Sequence, residues 1–230
     1  MKALIHIILL VFLQLSSSQF IFKNTYNIPS SDIKNILYFL EKESIKFKEK
    51  WNVSKREKIE VIFCESVDEF CRYTKANRRL AAFYKEDKIY LQPLKILKSK
   101  NILFQVMKHE LIHALLDREG KIILPRWFNE AFTIYESGEQ LRLKKKSKIK
   151  IKSLNDFNMF LSSKNYNDIE TTYFYLGNVM VFLFNEYGEE KIKRIINCTG
   201  KKSFEEEYNS IFGESLKLSE EKIIKYLQKF

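Results

Sequence analysis

The sequence predicts an α+β fold: a small α/β lobe with an antiparallel edge hairpin, followed by a mainly helical lobe. Three observations point there. Clear strand-like runs rich in β-branched and aromatic residues fall early in the chain, in KIEVIFC (58–64) and AAFYKEDKIYL (81–91). From about residue 101 onward, most apolar residues recur at helical spacing between capping and stop signals. The 230 residues are 45% hydrophobic and 14% aromatic, with only six glycines and three prolines, which suits one packed domain without a low-complexity linker.

The elements follow in chain order. Residues 31–50 read as an amphipathic helix with Ile33, Ile36, Leu37, Leu40 and Phe47 on one side, capped by Ser30 or Ser31 after Pro29. Residues 58–64 form a strand and 66–75 a short helix. Two apolar runs around Lys85-Glu86-Asp87 make a β-hairpin, which Pro93 ends. Residues 101–117 are apolar nearly all round, so this helix belongs in the centre of the fold, with Gly120 as its stop. A helix at 125–137 has Pro125 in its first turn and Gly138 at its close. Lysine alternating with isoleucine up to residue 152 reads as a half-buried strand, within a basic run that starts at 144. Helices follow at 168–186 and 189–197, then one opened by the capping box Ser203-Phe-Glu-Glu206, and a last one at 219–229. The α/β lobe thus covers about 25–98 and the helical lobe about 99–230.

The start of the chain, MKALIHIILLVFLQLSSSQF, has Lys2, an apolar run over 3–15 and small polar residues at 16–18. That is the layout of a secretory signal peptide over 1–18, leaving 19–230 as the mature domain, secreted or periplasmic. The run is short of the roughly 20 residues that a spanning helix needs, so no stable membrane span is expected. Cys64 and Cys71 are close enough in sequence to bridge, with Cys198 left over; equally, all three suit small buried hydrophobes. The net charge of +11 comes with no nucleic-acid motif and no aromatics interleaved in the basic run. Nucleic acid is therefore not an expected partner, and only loose attraction to acidic surfaces is left.

The chain has three histidines, and with His6 in the leader the mature protein has only His109 and His113, in the stretch MKHELIHALL. Residues i and i+4 share a helix face, so both imidazoles can reach one metal ion. Glu110, turned round the helix from them, can take a proton from a water at that ion. This is the H-E-x-x-H arrangement of zinc peptidases. A buried apolar helix offers two unpaired imidazoles no other obvious partner.

A catalytic zinc needs a third protein ligand. Glu119 stands where an extended motif has a histidine, but that motif also needs a glycine at 116, where this chain has Leu116. Asp117 shares the face of His113 one turn on, too far to complete a tetrahedron easily, and suits an outer acceptor instead. Glu130 lies inside the next helix, a polar residue between Phe128 and Phe132, and an antiparallel helix would return it to the histidines.

HELIHALL followed by LPRWFNEAFTIYESG resembles the gluzincin clan of zinc metallopeptidases, within it the peptidase MA-like families with a thermolysin-like catalytic domain. The family pattern W-x-x-E-[GA] matches Glu130 as the third ligand, with Ala131 where glycine is frequent. TYFYLGNVMVFLFNEYGEEKIKRII is similar to the family's segment of a tyrosine before a helix ending in Tyr-Gly, so the likeness covers roughly 80–230. The resemblance implies a zincin-like fold with one Zn2+ between the lobes, held by His109, His113 and Glu130. It implies a peptide or protein substrate, a zinc-activated water with Glu110 as general base, and a tyrosine for the oxyanion. Counting back from Tyr187-Gly188 places that tyrosine at Tyr173, with Tyr175 as its rival. Extended substrate would pair with the edge strand near 80–84 or 88–92.

The expectation is an exported zinc metallopeptidase. The alternative is a non-catalytic, zinc-containing peptidase-like binding module of the cell envelope. A degenerate member would be free to lose Glu110 or a ligand, and all four residues are present. A basic envelope- or polyanion-associated protein would explain the charge but neither histidine.

Overall fold

The computed structural model describes residues 19–25, 27–54, 58–117 and 120–230. The signal-peptide reading (1–18) and Glu119 lie outside the described residues. The chain runs from strand β1 (Phe20–Lys23) through helix α1 (Ser30–Trp51), β2 (Ile59–Phe63), α2 (Val67–Thr74) and the hairpin β3 (Ala82–Lys85) and β4 (Lys88–Leu91). Helices α3 (Leu94–Ser99), α4 (Leu103–Leu116) and α5 (Arg126–Ser137) follow, then a 3-10 turn at Glu139–Leu141. The remainder is α6 (Leu154–Leu161), α7 (Tyr166–Tyr187), α8 (Glu189–Asn197), α9 (Phe204–Phe212) and α10 (Leu216–Leu227). The architecture is α+β, a small mixed sheet with a mostly helical remainder. No helix among the described residues is long and apolar enough to cross a membrane.

The sheet order is β1-β2-β4-β3. β1 and β2 are parallel, as are β2 and β4, while β3 pairs antiparallel with β4. Alternation sets the buried face: Ile59, Val61 and Phe63 sit beside Ile89 and Leu91, all at most 3% exposed. The hairpin turns on Glu86 and Asp87, both with positive φ, the pairing that a two-residue connection needs to follow the strand twist. Because β4 is flanked on both sides, residues 88–92 cannot take an added strand. Of the two segments considered for substrate pairing, only that of β3 lies at the edge of the sheet.

α4 lies in the middle, against α1 on one side, β3 and β4 on another, and α5 on a third. Its all-round apolar sequence makes that position favourable, and Met107, Ala114 and Leu115 are fully buried. Trp51, also fully buried, sits among Phe47, Phe132 and Phe184, while its carbonyl accepts from the Asn197 amide at 2.8 Å. The start of the chain is thereby tied to the helical half.

Several sequence expectations are corrected. Neither Ser30 nor Ser31 caps α1; Pro29 occupies the cap without a side-chain bond, its fixed φ leading directly into the first turn. α4 ends at Leu116 with Asp117 in an extended conformation, so Gly120 is not its C-cap. Residues 144–152 form no strand. The amides of Lys146 and Ser147 donate to Thr171 Oγ1 of α7 at 2.9 and 2.8 Å, while Ile149 and Ile151 pack inward. The alternation thus reports a half-buried segment, but its neighbour is a helix and cannot supply a ladder. The short elements β1, α3 and α6 were not foreseen, although Ser153 and Asp156 form a capping box at α6. The cysteines are free thiols, Cys64 buried and the other two half-buried.

Candidate metal centre

The helical pitch of α4 brings His109 and His113 together as expected: their Nε2 atoms face each other at 3.0 Å. α5 then delivers Glu130, whose Oε2 lies 3.6 Å from His109 Nε2 and 3.7 Å from His113 Nε2. The three ligand atoms lie within 4.8 Å of one another, and the group could hold a metal ion. The spacing can be tested against metal geometry. Ligand atoms about 2.0–2.1 Å from a tetrahedral zinc stand about 3.3–3.4 Å apart, close to the edges of this triangle. Glu130 Oε2 is also buried and has no hydrogen-bond partner, a costly state for a carboxylate oxygen unless a cation meets it. The residues fit the ion.

Two neighbours aim the imidazoles. Asn129 Oδ1 lies 2.9 Å from His113 Nδ1, and Glu139 Oε1 lies 3.2 Å from His109 Nδ1. The second contact is an ion-pair approach without hydrogen-bond alignment. Outer acceptors at both Nδ1 atoms favour protons there and leave the Nε2 lone pairs convergent. Asn129 precedes Glu130 on the same helix. Glu139 arrives through the turn after Gly138, tucked against α7 at Gly177, where a Cβ would come within 2.8 Å of Gln140 Cβ. Neither residue was anticipated. The Asn-Glu pair within α5 was a usable signal for the first; nothing local marks the second.

Glu110 stands beside this group without joining it. Its Oε2 accepts from the Tyr84 amide of β3 at 2.7 Å, so a main-chain donor on the edge strand faces the carboxylate across the cleft. Asp117 is outside the convergent trio, its carboxylate accepts from the Tyr84 hydroxyl at 2.6 Å, and Asn129 is an acceptor at His113.

Burial opposes the charge on Glu130, but the two imidazoles outweigh it and hold its carboxyl well below the usual range. Burial likewise opposes protonation of His109, yet Glu139 and Glu130 raise its pKa well above the ordinary value. Burial pushes Glu110 up, partly offset by the imidazoles. The pocket therefore attracts positive charge, either a proton on His109 or a metal cation.

A cleft of about 510 Å³ opens over these groups, with β3 on one side and α7 on the other. Tyr173 lines it, its ring 6.3 Å from that of His109. Burial and then the charges of Glu130, Glu139 and Glu110 raise its pKa well above 10, so its hydroxyl stays a donor at neutral pH; Arg126 opposes this slightly. Tyr175, two residues further round α7, is 6% exposed in the core against Phe174 and does not line the cleft. Of the two tyrosines, only Tyr173 is brought to the site.

No protein-family model matches the sequence, and a search of curated proteins gives no match.

Proposed function

We propose that this chain is an exported zinc metallopeptidase of gluzincin type with a zincin-like fold. One observation carries the reading: Glu130, 17 positions beyond His113 and on another helix, converges with both histidines while Glu110, held by the Tyr84 amide, stands beside the trio without joining it. A structural role would account for one buried ion pair. It would not account for three ligand atoms at metal spacing with a fourth, proton-accepting carboxylate next to them.

His109, His113 and Glu130 hold the metal. Zinc, when bound, supplies Lewis acidity, polarising a carbonyl oxygen and lowering the pKa of a water towards about 7. Glu110 accepts the proton of the attacking water and passes it to the leaving nitrogen, a task helped by a carboxyl whose pKa burial has raised. Tyr173 donates to the oxygen on which negative charge develops. β3, the outer strand of the sheet, lines the cleft, and an extended peptide would lie along it, held by main-chain hydrogen bonds.

The test is Glu110→Gln, which keeps the side-chain shape but cannot carry the proton. The expected variant is folded and fully zinc-loaded, with peptide cleavage at least about a hundredfold slower. Cleavage at the wild-type rate would overturn the mechanism. A wild type that holds zinc but cleaves nothing in a broad peptide library would establish the binding module instead.

A further inference from the structure

Arg126 opens α5 one i,i+4 step before Glu130, so their Cβ atoms share a helix face, typically about 5–6 Å apart. It lines the same cleft as His109, Glu110 and Tyr173. The guanidinium is braced from behind: Nη1 donates to Ser162 Oγ at 2.9 Å, and Nη2 approaches the Leu161 carbonyl at 3.5 Å. Both acceptors are neutral, and they engage two of its five N–H donors. Among the described residues no carboxylate pairs with it. The acidic groups of the cleft are committed elsewhere: Glu130 to the imidazoles, Glu110 to the Tyr84 amide and Asp117 to the Tyr84 hydroxyl.

A held, forked cation with donors to spare, one helical turn from a metal ligand, matches a carboxylate in charge and shape. We infer that Arg126 is a specificity residue that binds a carboxylate of the substrate. Because Arg126 lines the same cleft as Glu130, Glu110 and Tyr173, that carboxylate lies near the bond to be cleaved. The inference rests on the peptidase reading and names the substrate class for the same cleft. The carboxylate has two sources, an acidic side chain or the free end of the peptide.

The experiment uses one peptide scaffold on the zinc-loaded protein. One arm compares Glu with Gln at each of the two positions on either side of the scissile bond, with an amidated end. The other compares a free with an amidated C-terminus one or two residues beyond that bond. In one arm kcat/KM is expected to favour the carboxylate by about ten- to a hundredfold. Arg126→Met should collapse that ratio to near one, and Arg126→Lys should retain part of it. A merely bracing role would instead lower all peptides alike and leave the ratio intact, with Ser162→Ala behaving as Arg126→Met does. A wild-type ratio near one in both arms, or a ratio that survives Arg126→Met, overturns the inference. If nothing is cleaved, the peptidase reading fails separately, and equilibrium binding of the same labelled peptides decides. A carboxylate preference lost in Arg126→Met supports the assignment; no preference, or one that persists, overturns it.

Discussion

Asn129 Oδ1 meets His113 Nδ1 at 2.9 Å, across 16 positions of sequence. One turn of α5 thus supplies both the acceptor that orients an imidazole and, in the next residue, the carboxylate that converges with it. Partners of this kind typically contribute about 10–100-fold to metal affinity. Asn129→Ala should weaken zinc binding by that factor in a chelator competition while leaving the fold intact. Unchanged affinity would mean that something other than Asn129 orients His113.

The ligand set separates cleanly by substitution. Glu130→Ala or His113→Ala should reduce zinc content from one per chain to far below one at neutral pH. Asp117→Ala should leave it at one, because its carboxylate serves Tyr84. Metal binding displaces protons from its ligands, so zinc should also be lost on acidification. Metal analysis after dialysis reads all of these, and a zinc-loaded Glu130→Ala would refute the third ligand.

The two tyrosines of α7 should part in the same way. Tyr173→Phe should lower kcat by at least about tenfold with zinc content unchanged, since an oxyanion donor acts as charge develops. Tyr175→Phe should stay within a few-fold of wild type, because that side chain lies in the core away from the cleft. The reverse pattern would exchange their roles.

Far from the cleft, Glu214 accepts from Lys222 and Ser219, each at 2.6 Å, and from the Tyr187 hydroxyl. Burial works against its charge, yet these donors hold its pKa down at about 2, below the ordinary 4.5. A depressed carboxyl stabilises the fold above its unfolded pKa, and that contribution is lost as pH falls from about 4.5 towards 2. Glu214→Gln should therefore cost about 1–2 kcal/mol at pH 7 after allowance for solvent screening. The deficit should shrink as pH approaches 2. Urea unfolding of both proteins with chelator present measures it, and a deficit independent of pH would rule out the charge as its source.

Much of the fold was legible because its signals are local. The β-branched run at 59–63, the hairpin turn at Glu86-Asp87 and the capping box at Ser203 each depend on a few neighbouring residues, and all formed. The basic segment at 144–152 misled for a related reason. Alternation of Ile149 and Ile151 with lysines shows which side is buried, but not whether a strand or a helix lies underneath. β1 was hidden because Phe20-Ile-Phe closely follows the apolar run over 3–15, and only its pairing with β2 distinguishes it.

The sequence by itself determined that His109 and His113 share a face and that Glu110 does not, since helical pitch alone dictates it. It also marked Glu130 as out of place among aromatics. Only the tertiary structure decided that Glu130 reaches the histidines, that Asn129 and Glu139 stand behind them, and that Tyr173 rather than Tyr175 faces the cleft. Those facts depend on how α4, α5 and α7 pack around shared side chains such as Phe132 and around the close approach at Gly177. Distances between helices are set by such packing, which residue spacing along the chain does not encode.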